Sequence, residues 1–131
     1  MSQKEIEVIL TRQLASYLAM PVFIVDPSGT LIYYNEPAEV ILGRRFEETG
    51  EMSVDELATI FKPVDAAGAA LPAESLPIYV ALRERRLAHG QMWIRGLDKV
   101  RRHIEAVAFP LIGHGQRELG AVVIFQEVPQ P

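Results

Sequence analysis

Arg101-Arg102-His103-Ile104-Glu105-Ala106-Val107-Ala108-Phe109-Pro110-Leu111-Ile112, followed past Gly113-His114-Gly115-Gln116 by Glu118-Leu119-Gly120-Ala121-Val122-Val123-Ile124-Phe125-Gln126, decides how this chain folds. A shorter run, Gln91-Met92-Trp93-Ile94-Arg95, precedes them across Gly96-Leu97-Asp98-Lys99. Both breaks are short and glycine-bearing, so they read as hairpin turns, and residues 91–95, 101–112 and 118–126 as antiparallel neighbours. Side chains along a strand alternate between faces. Ile104, Ala106 and Ala108 therefore share one face, with His103, Glu105, Val107 and Phe109 on the other. Ala121, Val123 and Phe125 alternate in the same way with Gly120, Val122, Ile124 and Gln126. A sheet with one wet face alternates apolar and polar. This one is apolar on both faces near its centre, so both need covers. One must come from the middle of the chain, the other from the N-terminus or a partner.

The 131 residues suit one domain, taken as residues 1–131, and 49% hydrophobic and 23% charged residues are a globular balance that argues against disorder. The net charge of −4 gives no electrostatic basis for binding nucleic acid or an anionic membrane. No apolar run approaches the roughly 18 residues of a membrane span. Met1-Ser2-Gln3-Lys4-Glu5 lacks the apolar core of a signal peptide, so the expected compartment is the cytoplasm. The absence of cysteine excludes disulfides, thiolate metal sites, cysteine nucleophiles and a cysteine-linked flavin.

Upstream, residues 2–19 read as an amphipathic helix. Ser2 and Glu5 have capping-box spacing, Ile6, Ile9, Leu10, Leu14, Tyr17 and Leu18 form one stripe, and Pro21 stops the helix. It is the natural cover for the outer sheet face, and the stripe also suits a dimer seam. Residues 22–34 read as a hairpin turning at Asp26-Pro27-Ser28-Gly29. Asn35 caps a helix with Pro37 in its first turn, and Gly43 ends it. Residues 44–52 read as a loop or single turn. Ser53 and Glu56 then repeat the capping box before a short helix with Val54, Leu57, Ala58 and Phe61 inward, closed by Pro63. After a small-residue connector, a helix is expected over 73–87, with Leu76, Tyr79, Val80 and Arg83 on one face. Ile78 and Leu82 widen it towards near-complete burial. The core would span 21–128, with 129–131 as a tail.

The order and turns resemble those of a PAS domain. The resemblance rests on Phe23-Ile24-Val25-Asp26-Pro27-Ser28-Gly29 with Leu31-Ile32-Tyr33-Tyr34-Asn35, on Ala38 to Gly43, and on Leu71-Pro72 through Pro77 with Ala81-Leu82-Arg83. It rests further on Ala108-Phe109-Pro110-Leu111 and Gly120-Ala121-Val122-Val123-Ile124-Phe125, and so covers nearly the whole chain. It implies an α+β fold, a five-stranded antiparallel sheet with short helices on its inner face. It implies sensing and protein–protein signalling, sometimes through a small molecule held between sheet and helices. Possible partners are then a kinase, a cyclase or another regulator. Counting back in twos from Pro110, the inward set is Ala108, Ala106 and Ile104. With it go Met92, Ile94, Ala121, Val123, Phe125, Phe23 and Val25, with Tyr79 from the long helix and Arg102 at the rim. The paired Ala106 and Ala108 leave room that a ligand, or simply Tyr79, Met92 and Phe125, could fill. The outward set, Trp93, Val107, Phe109, Val122 and Ile124, with Ile6, Ile9, Leu10, Leu14 and Tyr17, is the expected homodimer interface.

Chemistry is hard to place on this pattern. His89, His103 and His114 fall in three different elements, which disfavours a metal cluster. None falls where the resemblance would put a haem histidine on the long helix, so haem is not expected. No Gly-x-Ser-x-Gly elbow or phosphate-binding Gly-x-x-x-x-Gly-Lys loop occurs. The reading is a non-catalytic sensory or interaction domain acting as a homodimer. The alternatives are a stand-alone small-molecule receptor and, further off, a small α+β enzyme, which would need convergent polar groups in the pocket.

Overall fold

In the computed structural model of this chain, the described residues are 6–95 and 99–128. The proposed Ser2–Glu5 cap, the Gly96-Leu97-Asp98 part of the first hairpin break, the tail 129–131 and the side chain of Val54 lie outside the described part. The chain is α+β. One antiparallel sheet is built from β1 (Val22–Val25), β2 (Thr30–Tyr34), β3 (Met52–Ser53), β4 (Ala88–Arg95), β5 (Arg101–Ile112) and β6 (Glu118–Glu127), in the order β3-β2-β1-β6-β5-β4. Five of these strands were expected. β3 adds a sixth at the edge, with Met52 opposite Leu31 and Ser53 opposite Thr30. A two-residue strand has no periodicity to read.

Helices α2 (Glu36–Leu42), α3 (Phe46–Thr49), α4 (Val54–Phe61) and α5 (Pro77–Glu84) lie between β2 and β4 in the chain, and α1 (Ile6–Ala15) precedes the sheet. Local chemistry sets their ends. Asn35 Oδ1 accepts from the Ala38 N–H to start α2, and Gly43 ends it at φ 88°. Ser53 and Glu56 close the capping box at α4. The single helix expected over 73–87 is instead a 3₁₀ turn, Ala73–Ser75, followed by α5. Pro77 is the cause: the residue before a proline is pushed out of the helical region, and Leu76 sits at φ −70°, ψ 138°. Nor is the long helix buried nearly all round. Leu76, Pro77, Ile78 and Ala81 are buried and Tyr79, Val80 and Leu82 half-buried, while Arg83 is exposed.

Both sheet faces carry apolar clusters. The inner one joins Phe23, Val25, Met92, Ile94, Ile104, Ala106, Ala108, Ala121, Val123 and Phe125 to Ile41 and Leu42 of α2, Leu57 and Phe61 of α4 and Ile78 and Ala81 of α5. The outer one joins Val22, Ile24, Ile32, Leu119 and Val122 to Val8 and Ala15 of α1. The middle of the chain thus covers one face and the N-terminal helix part of the other. The helix does so with the side opposite to the expected stripe. At 3.6 residues per turn, Val8 and Ala15 lie roughly opposite Ile6, Ile9, Leu10 and Leu14, and Tyr17 follows in the turn just past the helix. Those five side chains are between 52% and 79% exposed. The helix also stops at Ala15, before the expected end at residue 19.

Candidate functional site: an inner cavity and an outer helix face

The inner cluster is not filled. A cavity of about 80 Å³ lies between sheet and helices. Phe23, Met92, Ile94, Ile104, Ala106, Val123 and Phe125 form its sheet side, and these seven were among the residues expected there. Leu57, Phe61, Leu76 and Ile78 form most of its helix side. They carry the helical apolar spacing, but spacing does not say which buried residue borders a void. The other expected residues surround the cavity without lining it. Val25, Ala108 and Ala121 are packed solid in the same cluster. Tyr79 stands at the exposed rim, its hydroxyl donating to Asp55 Oδ1 at 3.1 Å. Arg102 is nearly covered, and its guanidinium lies 3.2 Å from Glu127 Oε1 and 3.5 Å from the Ile41 carbonyl, so it ties α2 to the sheet.

Aromatic packing bounds the void. Phe23 meets Phe125 edge-on at 4.9 Å, Tyr34 edge-on at 5.8 Å, and Phe61 stacked at 5.9 Å. Every lining residue is apolar. A buried polar group without a partner costs roughly 1–3 kcal/mol, and this lining offers no partner to a polar atom placed at its centre. A flavin does not fit: its ring edge carries several donors and acceptors, and its size far exceeds the void. Haem fits no better, for none of the three histidines lines the cavity. His89 and His114 are exposed, and His103 is on the outer face, stacked on Trp93 at 3.9 Å and 2°. Among the described residues no cluster of three or more histidines and carboxylates could hold a metal ion, and no helix is long and apolar enough to cross a membrane.

On the outer side, polar contacts fix α1 where its apolar contact is thin. Glu7 Oε2 accepts from the His114 N–H at 3.1 Å and from Arg117 Nη2 at 3.3 Å, on the turn between β5 and β6. The Arg12 guanidinium lies 4.7 Å over the Tyr33 ring. Hydrogen bonds from its own amide and from that of His114, reinforced by Arg117, hold the Glu7 carboxyl below its usual pKa. A lowered pKa in the folded state lends stability that is present above the ordinary carboxylate range and lost as pH falls through the lowered value. Acid, or Glu7→Gln at neutral pH, is therefore expected to loosen α1 first. Hydrogen exchange should speed up in residues 6–15 while β1 stays protected; unchanged exchange in the helix would show that Glu7 does not hold it.

Val122, Ile124, Val107 and Phe109 lie on the outer face as expected. Val122 is buried in the outer cluster, and Ile124, Val107 and Phe109 are half-buried. Trp93 is outward too, but on edge strand β4, with β5 between it and β6, the nearest strand with buried residues in the outer cluster.

No family model and no curated protein sequence matches the chain. Solved structures do. The chain is similar to the PAS domain of a protein from Colwellia psychrerythraea, at 16% identity over 92% of this chain and 96% of that one, with a TM-score of 0.65. It is similar to the PAS domain of nitrogen regulation protein NR(II) from Vibrio parahaemolyticus, at 18% identity over 91% and 98%, TM-score 0.64. It is also similar to a Rhodobacter sphaeroides LOV protein, at 12% identity over 96% of this chain and 70% of that one, TM-score 0.72. At such identities the likeness is one of fold, and the fold is PAS-like.

Proposed function

We propose that this PAS-like chain is a non-catalytic sensory or interaction domain that works as a homodimer through the outward face of α1. The observation that carries this reading is the exposed stripe Ile6, Ile9, Leu10, Leu14 and Tyr17. A face this apolar on a helix docked by its opposite side calls for a second surface. The stripe also suits another copy of itself. A twofold axis sets the same patch against itself, with residues near the axis meeting their own equivalents, and the outward positions, with Gln13 among them, carry no charge that would meet its like. Support for a signalling role comes from the fold, shared with a domain of a nitrogen regulation protein. The cavity lining offers no titratable side chain to serve as acid or base, which disfavours the enzyme reading.

The reading is tested by sedimentation velocity. Wild type should be dimeric at micromolar concentration. Leu10→Glu should weaken association by roughly three orders of magnitude: about 2 kcal/mol of burial is lost per copy, symmetry doubles it, and each 1.4 kcal/mol is tenfold. Because Leu10 is exposed in the single chain, the variant should still fold, with its thermal midpoint lowered only by the lost linkage to the dimer. A wild-type monomer at high concentration would sink the proposal.

The cavity favours a second element, control by a small apolar ligand. Phe23 of β1 lines the void while its neighbours Val22 and Ile24 face the outer cluster that holds α1. One strand thus separates ligand from helix. A ligand shifts the dimer only by its differential affinity for two packings. Xenon, a probe for dry apolar voids, should shift the methyl resonances of Ile94, Ile104 and Val123 and leave those of Val22 and Ile24 in place. Ala106→Leu should abolish the response. No wild-type response would remove the ligand from the account.

A further inference from the structure

At the far edge of the sheet from α1, a second concavity of about 270 Å³ is lined by Lys62, Val64, Gly68, Trp93, Ile94, Arg95 and Arg101. We propose that it binds a small polyanion, a molecule carrying two or more negative charges on phosphate or carboxylate groups. The proposal does not depend on the dimer or on the inner cavity.

Three features carry it. The first is charge. Three of the seven lining residues are cationic and none is acidic, in a chain whose net charge is −4. Among the described residues, no ion pair engages Lys62, Arg95 or Arg101. Over residues 95–101 the sequence sets Arg95, Lys99 and Arg101 against Asp98 alone, while Arg102 is paired with Glu127. Asp65, the one carboxylate of the 62–70 connector, is turned inward on its own loop, accepting from the Ala67 and Ala69 amides at 2.9 Å each. Like charges gathered in one recess repel one another, and an anion relieves that repulsion.

The second feature is shape. The connector pairs with edge strand β4 at a single point, where the Val64 and Trp93 amides exchange hydrogen bonds at 2.9 and 3.0 Å. On either side the loop bends away. Lys62 turns the chain at φ 47° and Gly68 turns it back at φ 89°, a conformation glycine adopts without strain. The result is a walled recess at the strand edge. In the antiparallel ladder, amides two apart point the same way, so the Arg95 N–H faces the side that Val64 occupies at Trp93.

The third feature is Trp93 itself. One ring face is stacked on His103, and Arg101 Cζ stands 5.7 Å from the ring centroid. Aromatic contact holds the Arg101 fork beside the recess, and guanidinium groups pair with phosphate or carboxylate in two-point fashion.

Trp93 is the chain's single tryptophan, so its fluorescence reports on this recess alone. The full chain is titrated with pyrophosphate, citrate and inorganic phosphate at ionic strength held constant with sodium chloride. The expected result is a saturable change with pyrophosphate or citrate; the stronger of the two identifies phosphate or carboxylate as the recognised group. Lys62→Asn, which tolerates the left-handed backbone, and Arg95→Gln should each weaken binding by about tenfold, the loss of one charge-assisted hydrogen bond. Arg83→Gln, an equal charge change on α5, should leave it unaltered. All three positions are exposed, and circular dichroism checks that each variant is folded. The absence of any saturable response, or equal weakening by Arg83→Gln, overturns the proposal. So does a response to polyglutamate but to none of the small anions, which would reassign the patch to an acidic protein segment.

Discussion

Gly120→Ala is expected to remove most of the stability of the fold, with a loss above about 4 kcal/mol, against totals of roughly 5–15 kcal/mol for domains of this kind. A Cβ at this position would stand 1.9 Å from the Val25 carbonyl oxygen and 3.0 Å from the Asp26 Cα. Backbone cannot rotate out of the way as a side chain can. The backbone angle, φ 126°, adds strain for any residue but glycine. Gly120 lies where the β5–β6 register shifts next to Leu111 and where β1 reaches its last paired residue, Val25. The bulge lets β1 leave the sheet directly over β6 and turn at Asp26. Urea unfolding should show the loss; a Gly120→Ala midpoint near that of wild type would contradict the packing described.

Asn35→Ala is expected to cost about 3–5 kcal/mol, because Asn35 is a four-way bracket besides being a helix cap. It is the one buried polar side chain in the described core. Its Oδ1 accepts from the Val22 N–H at 3.0 Å and the Ala38 N–H at 3.2 Å, and its Nδ2 donates to the Ala15 and Met20 carbonyls, both at 2.9 Å. One amide thus joins the end of α1, the start of β1 and the start of α2. Removing it takes the partner from the Val22 and Ala38 N–H groups and from the Met20 carbonyl, and leaves the Ala15 carbonyl with only the Leu18 N–H at 3.1 Å. Asn35→Asp separates the roles. Aspartate caps helices as well as asparagine, so a cap alone would survive the change. A carboxylate would face the Ala15 and Met20 carbonyls without a proton to give, and α1 should detach from the sheet. Hydrogen exchange of residues 6–15 in Asn35→Asp should approach that of an unanchored helix. Wild-type protection would reduce Asn35 to a cap.

Residues whose role is set by near neighbours were legible in the sequence. The period of two along 101–112 placed Ile104, Ala106 and Ala108 on one face because burial on both sides still leaves the pleat intact. Ser53 and Glu56, and Asn35 with Gly43, marked helix ends because capping acts over three or four residues. Features set by distant partners were not. The stripe of α1 is the more apolar side, yet Val8 and Ala15 dock, because Glu7, Arg12 and the Asn35 amide fix the helix by its polar flank. Pro77 began a new helix where one continuous helix was expected, since its effect on Leu76 outweighed the propensity around it. The basic recess joins Lys62 to Arg95 and Arg101 across the Val64–Trp93 bridge, and no local pattern announces a pairing at one residue.

The geometry links these elements. The cavity borders β1 from inside, α1 leans on β1 from outside, and Asn35 fastens the two. A dimer built on the free side of α1 would then respond to whatever moves β1. The most direct measurement is a single-cysteine scan, which the absence of native cysteine makes unambiguous. Leu10→Cys, Gln13→Cys and Leu14→Cys are introduced one at a time on the stripe, with Ser28→Cys at the exposed hairpin turn as reference. A disulfide forms only when Cα atoms come within about 4.4–6.8 Å. The account predicts a disulfide-linked dimer at one or more stripe positions under mild oxidation and none at Ser28. Monomer throughout, or cross-linking at Ser28 equal to that on the stripe, would contradict it.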